Sequence, residues 1–93
     1  GVKGADFLAG LGLETNGRNQ ILVTDTLQTR EDPYIFALGD CASYTPPGED
    51  RPVPPRAQAA HQMAETVFTN IVRMQQGRPL THFVYRDKGS LVS

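Results

Sequence analysis

Ile35-Phe36-Ala37-Leu38-Gly39-Asp40-Cys41-Ala42 decides how the chain is read. An apolar run of strand character stops abruptly at Gly-Asp. A continuous hydrophobic run, rather than an alternation, is the pattern of a strand buried on both faces of a parallel sheet. In open α/β sheets, ligands sit just beyond the carboxyl ends of such strands. Gly39 lets the backbone approach a ligand closely, and Asp40 offers a carboxylate acceptor there. From these eight residues alone, a strand ending in an ordinary turn reads equally well.

The flanking sequence builds an α/β pattern around this run. Tyr34 to Leu38 reads as a central strand, and Gln20 to Thr24 as a second, through Ile21, Leu22 and Val23. Thr26 to Thr29 either extends the second strand or forms a short one of its own. Asn16-Gly17-Arg18-Asn19 is a turn signal, and Ala5 to Leu11 could form a short helix ended by Gly12. Residues 43–56 form a long loop whose prolines deny it a regular ladder. A helix is expected from about Pro55 to Gln76. Proline suits its first position, and Gly77 and Pro79 end it. Ala60, Ala64, Val67, Phe68, Ile71 and Met74 share its apolar face, with Gln58, His61, Gln62 and Glu65 opposite. His82 to Tyr85 reads as a last short strand, followed by an Asp87-Lys88-Gly89 turn.

Composition excludes several classes of function. Nine Lys+Arg against ten Asp+Glu give a net charge of −1, which argues against nucleic acid or a polybasic membrane-binding face. No apolar run is long enough to cross a bilayer, and no signal peptide opens the chain. Cys41 is the only cysteine, so an internal disulfide or CxxC pair is impossible and a cytosolic setting is favoured. The chain opens at Gly1 without an initiator Met and ends inside a strand-like stretch, so it is read as a piece of something longer.

Two further places could carry chemistry. The helix start at Arg56-Ala57-Gln58 presents unpaired N–H groups and small or polar side chains, which would suit an anion. Gln58, His61 and Gln62 lie together at spacings of three and four. They could hydrogen-bond carbonyl oxygens, and His61 could pass a proton near neutral pH. A helix start at the surface and a solvated polar face are the plainer readings. Gly10-Leu11-Gly12 lacks the third glycine of a dinucleotide fingerprint. Cys41, His61 and His82 lack zinc spacing, so no metal site is expected. Cys41 reads as a small buried hydrophobe, and Tyr44 and Tyr85 as packing residues.

Taken together, these segments resemble the C-terminal part of the type II NADH:quinone oxidoreductases, the non-proton-pumping respiratory NADH dehydrogenases of bacteria. The resemblance runs through essentially all of the chain. It rests on Thr26-Leu27-Gln28-Thr29, on residues 35–42, on Val53-Pro54-Pro55-Arg56-Ala57-Gln58-Ala59-Ala60-His61-Gln62, and on Tyr85-Arg86-Asp87-Lys88-Gly89-Ser90-Leu91-Val92-Ser93. The Gly-Asp motif is shared with many flavin-dependent reductases. The Ala-Gln-Ala-Ala-His-Gln stretch and the Gly-Ser-Leu-Val-Ser ending are far more specific.

The resemblance implies a function for each place. Asp40 matches an aspartate that accepts hydrogen bonds from the ribityl chain of FAD. Gly39, Cys41 and Ala42 match backbone beside the cofactor. Ala57 and Gln58 match a helix start facing the flavin, and Gln58 and Gln62 match glutamines beside a quinone pocket, with His61 between them. The implied fold is the detached C-terminal portion of a Rossmann-like FAD-binding domain. Residues 1–19 would be the edge of an NADH-binding domain, and residues 20–93 an incomplete part of the FAD-binding domain. The implied parent enzyme takes electrons from NADH through FAD to a membrane quinone and sits peripherally on the cytoplasmic face of the inner membrane. The chain alone is expected to be inactive. Its uncovered apolar helix face is expected to drive a dimer or higher oligomer. Another flavin reductase, of ferredoxin or disulfide type, and a purely structural module remain as alternatives.

Overall fold

A computed structural model describes residues 12–54 and 56–86. The expected Ala5–Leu11 helix, the proline at position 55 and the Asp87-Lys88-Gly89 turn lie outside these residues. Strand β1 (Ile21–Leu22) pairs in parallel with strand β2 (Ala42–Ser43), in the register Ile21 with Ala42 and Leu22 with Ser43. A 3₁₀ turn at Gly39–Cys41 leads into β2, and helix α1 (Ala57–Gln75) packs against that turn. This is an α/β arrangement of short parallel strands and one long helix.

The apolar run Ile35–Leu38 is not the parallel strand. Residues 35–37 run antiparallel to 27–29: Thr29 N–H donates to Ile35 O at 2.8 Å and Ala37 N–H to Leu27 O at 3.1 Å. Gln28 and Phe36 form one isolated antiparallel bridge there. Only Ala37 of the run is buried; Tyr34 is 78% exposed and Ile35 41%. The parallel ladder begins only after the chain has turned at Gly-Asp. That motif therefore stands at the entrance of β2, not at the carboxyl end of a buried strand.

Two other strand expectations are met only in part or not at all. Of the Thr26–Thr29 stretch, Thr26 and Leu27 close a tight turn, with Leu27 N–H donating to Thr24 O and Thr24 N–H to Gln28 O, both at 2.9 Å, while Gln28 and Thr29 bridge antiparallel to Phe36 and Val23. Leu27 adopts a left-handed φ of 65° and is fully buried. That conformation costs a leucine about 1–2 kcal/mol, and burying the side chain returns about 2–3 kcal/mol. His82–Tyr85 makes no ladder; Phe83 is instead fastened by its N–H to Asp25 O at 2.6 Å. The turn at Asn16–Asn19 forms as expected, with the Asn16 side chain accepting from the N–H groups of Arg18 and Gln20.

Helix α1 begins two residues later than expected because Arg56 is still extended (φ −115°, ψ 155°). It ends as the glycine dictates. Gly77 takes φ +69°, its N–H reaches Met74 O, and Arg78 N–H reaches Arg73 O. This pair of bonds satisfies carbonyls that a helix end otherwise leaves open. The buried face is Ala59, Met63, Val67 and Asn70. It is rotated by roughly 80° from the expected apolar stripe, at about 100° per residue. Ala64 is exposed, Phe68 is 70% exposed and Ile71 40%. The helix seats itself on Ala59, Met63 and a polar residue because of what faces them.

Asn70 explains that choice. Its amide donates to Thr26 O at 3.0 Å and Thr81 O at 2.9 Å. It accepts from Thr81 N–H at 2.8 Å and from the Thr81 hydroxyl at 3.1 Å. Both N–H groups and both lone pairs are thus engaged, which is what a fully buried amide requires. Asn70→Ala leaves three backbone groups without partners and is expected to lower the unfolding free energy by about 2–4 kcal/mol. Asn70→Leu should cost a comparable amount although it is more hydrophobic. Urea unfolding midpoints with an unchanged slope check both.

Candidate functional site

The Gly-Asp turn and the start of α1 meet. Gly39 opens the turn with φ +68°, a conformation that suits glycine. A side-chain carbon at Gly39 would lie 3.9 Å from Cβ of Ala60, so the two chains approach across small residues. Gly39, Asp40, Ala42, Arg56, Ala59 and Ala60 line one cleft of about 70 Å³. Sites for small molecules run to roughly 300–1,000 Å³, so this cleft alone is too small to enclose one.

Asp40 presents an exposed carboxylate at this cleft. Its backbone is held from below: buried Gln20 donates from Nε2 to Asp40 O at 3.1 Å, and Asn16 Nδ2 donates to Gln20 Oε1 at 2.9 Å. Gln20 was not legible as a site residue, because before Ile21 it reads only as the first residue of a strand. Cys41 packs against the core and its thiol donates to Leu38 O at 3.2 Å, so it behaves as the small hydrophobe expected. Ala42 is buried in β2.

The start of α1 carries the positive end of the helix dipole. Arg56 provides no side-chain cap to the first-turn N–H groups, and no acidic side chain occupies that turn. Ala57 is the first helical residue and is exposed.

The polar stripe stands elsewhere on the helix. Gln58, His61 and Gln62 do not line the cleft. His61 is the most outward of them, with 78% of its side chain exposed and Nε2 3.6 Å from Glu65 Oε1. Gln62 is occupied by backbone: its Nε2 donates to Arg86 O at 2.8 Å, and Arg86 N–H donates to its Oε1 at 2.9 Å. The candidate residues therefore form two groups about one helix end. Small residues and Asp40 face the cleft, and the glutamines with His61 stand on the flank.

A second, larger recess of about 520 Å³ lies between the proline loop and residues 82–85. Tyr44 and Phe83 meet there edge to face, with centroids 5.8 Å apart. Burial, and secondarily the Asp25 carboxylate, pushes the Tyr44 phenol above its ordinary pKa, so it stays protonated at physiological pH.

With this geometry in view, the chain can be set beside known proteins. A family profile described as pyridine nucleotide-disulphide oxidoreductase matches residues 1–64. The chain belongs to that family. Among its curated relatives, the type II NADH:quinone oxidoreductase of Haemophilus influenzae is 54% identical over 82 residues, covering 88% of the chain and 18% of that protein. The protein of the same name from Staphylococcus aureus is 36% identical over 93 residues, covering 100% of the chain and 23% of that protein. The chain thus spans about a fifth of the length of these oxidoreductase relatives.

Gly39→Ala is expected to cost about 1–2 kcal/mol through the left-handed φ alone, with no clash against Ala60. Gly48→Ala, at another left-handed turn that no side-chain carbon would crowd, should cost a similar amount. Thermal unfolding of the two variants checks this, and a far larger loss at Gly39 would show that the approach to Ala60 is tighter than described.

Proposed function

We propose that this chain is part of a longer flavoenzyme that passes electrons from NADH through FAD to a membrane quinone. The observation that carries the reading is the shared cleft. An exposed carboxylate, a left-handed glycine and Arg56 at the start of α1 line one cleft together with Ala42, Ala59 and Ala60. That donor set fits FAD: hydroxyl groups need an acceptor, and a ring system that gains electrons needs a positive dipole end nearby. When bound, the flavin would supply the redox chemistry, taking hydride from NADH and giving electrons to quinone.

The chain's own residues would then hold and orient. Asp40 accepts hydrogen bonds from the ribityl hydroxyls, with Gln20 keeping its backbone in place. Gly39 and Ala42, with Cys41 packed beneath, keep the cofactor side of the turn free of bulk. Ala57 and Gln58 present backbone N–H groups toward the flavin edge. Gln58, His61 and Gln62 stand on the quinone side, where amide donors and an imidazole would serve two-proton chemistry. Residues 1–19 are assigned to the edge of the NADH-binding domain, and residues 20–93 to the FAD-binding domain. No helix among the described residues is long and apolar enough to cross a membrane. The proposed placement is peripheral, on the cytoplasmic face of the inner membrane, as the resemblance implies.

In the full-length enzyme, Asp40→Ala is expected to weaken FAD retention by roughly 10–100-fold, the loss of one charge-assisted hydrogen bond. Flavin absorbance after dialysis measures it, and full retention would remove Asp40 from the site. The chain by itself should give no NADH-dependent quinone reduction. Its outward Tyr34, Ile35 and Phe68 should also make it self-associate as a dimer or higher oligomer. Light scattering that shows a monomer would contradict that.

A further inference from the structure

The carbonyl of Asp40 is held by a relay that starts outside the cleft. Asn16, which does not line the cleft, donates from Nδ2 to Gln20 Oε1 at 2.9 Å. Gln20, buried and part of the cleft lining, donates from Nε2 to Asp40 O at 3.1 Å. A carboxamide has one donor end and one acceptor end, so two in series can point either way. The backbone of the 16–20 turn removes that freedom. Asn16 Oδ1 accepts from the N–H groups of Arg18 at 2.9 Å and Gln20 at 3.0 Å, which only its oxygen can do. The Asn16 nitrogen must therefore face Gln20. Gln20 answers with its oxygen, and its own nitrogen is left facing Asp40 O. Asn16 N–H donates to Gln20 O at 2.9 Å, which keeps the two residues side by side.

We propose that Asn16 and Gln20 are positioning residues for the candidate cofactor cleft. Asn16 sets the direction of the relay, and Gln20 passes it to the Asp40 carbonyl. The Gly39–Cys41 turn is thereby held with its carboxylate toward an incoming ligand hydroxyl. The consequence for FAD rests on the proposed function; the relay itself does not. Asn16→Asp is the informative change. Aspartate keeps both bonds from the Arg18 and Gln20 N–H groups, and so keeps the turn. It also presents an acceptor where Nδ2 was a donor. The Gln20 carboxamide must then turn round and set its oxygen against the Asp40 carbonyl, which loses its donor.

The test uses the full-length flavoenzyme with Asn16→Asp, Gln20→Met and the two combined. One readout is FAD affinity, from flavin fluorescence on titrating the apoprotein. The other is hydrogen exchange at the residue 42 amide, whose N–H closes the turn onto Gly39 O. Each single variant is expected to weaken FAD binding about 5–10-fold and to quicken that exchange by a similar factor. In the Gln20→Met background, Asn16→Asp should add less than about twofold to either, because its route to Asp40 is already cut. A residue that merely stabilised the 16–20 turn would instead add its full effect. Wild-type affinity and exchange in Gln20→Met would overturn the relay. An Asn16→Asp effect undiminished by Gln20→Met would overturn the direction-setting role of Asn16. Faster exchange with wild-type FAD affinity would overturn the positioning role. If Gln20→Met proves too unstable to purify, Gln20→Leu removes the same two bonds and gives the same readouts. A full-length protein that binds no FAD would defeat the proposed function, while exchange at residue 42 would still decide the relay.

Discussion

Asn70 is wholly buried, and its carboxamide ties its helix to two other pieces of chain, the turn at Thr26 and the segment at Thr81. A buried amide tolerates no other arrangement cheaply, because each unpaired polar atom away from water carries a desolvation penalty. The helix must therefore sit with Asn70 inward, and its rotation about its axis follows. Ala59 and Met63 are carried inward with it, about three and two turns toward the amino end. The Thr26 carbonyl held by Asn70 immediately precedes Leu27, whose left-handed backbone is compensated by complete burial.

That rotation decides what the helix start can do. Ala59 and Ala60 come to face Gly39, so the turn and the helix meet across small side chains. The same rotation turns His61 to solvent and leaves Gln62 at the edge of the packed face, within reach of Arg86. A residue three or four positions along the helix shares a face with its neighbour, but the next two do not. One cleft side made of alanines and one flank made of amides thus come from a single short stretch, residues 57–62.

The electrostatics of this end are simple. The dipole of α1 places partial positive charge at its amino end, and no acidic side chain in the first turn neutralises it. Asp40 stands across the cleft with an exposed carboxylate and its backbone tied to Gln20. A ligand entering between them would meet an acceptor on one side and donors on the other. Membership of the pyridine nucleotide-disulphide oxidoreductase family gives that polarity a chemical context.

Local chemistry was legible in the residues themselves. The long helix, its end at Gly77, the Asn16 turn and the break at Gly-Asp are each written in short-range preferences: periodicity, left-handed glycine, and side chains that bond their own backbone. The meeting of the Gly-Asp turn with the helix start was also expected, through the resemblance and not through spacing. Which residues pair as strands was not legible. An apolar run says that a segment wants burial, and cannot say that 35–37 would lie antiparallel beside 27–29 while the parallel ladder waits for Ala42. Nor could periodicity reveal that a polar Asn70 would be buried while Phe68 faces outward, or that Gln62 would be claimed by a backbone 24 residues away. Those outcomes depend on satisfying particular buried donors and acceptors, and their partners are brought near only when the whole chain has folded.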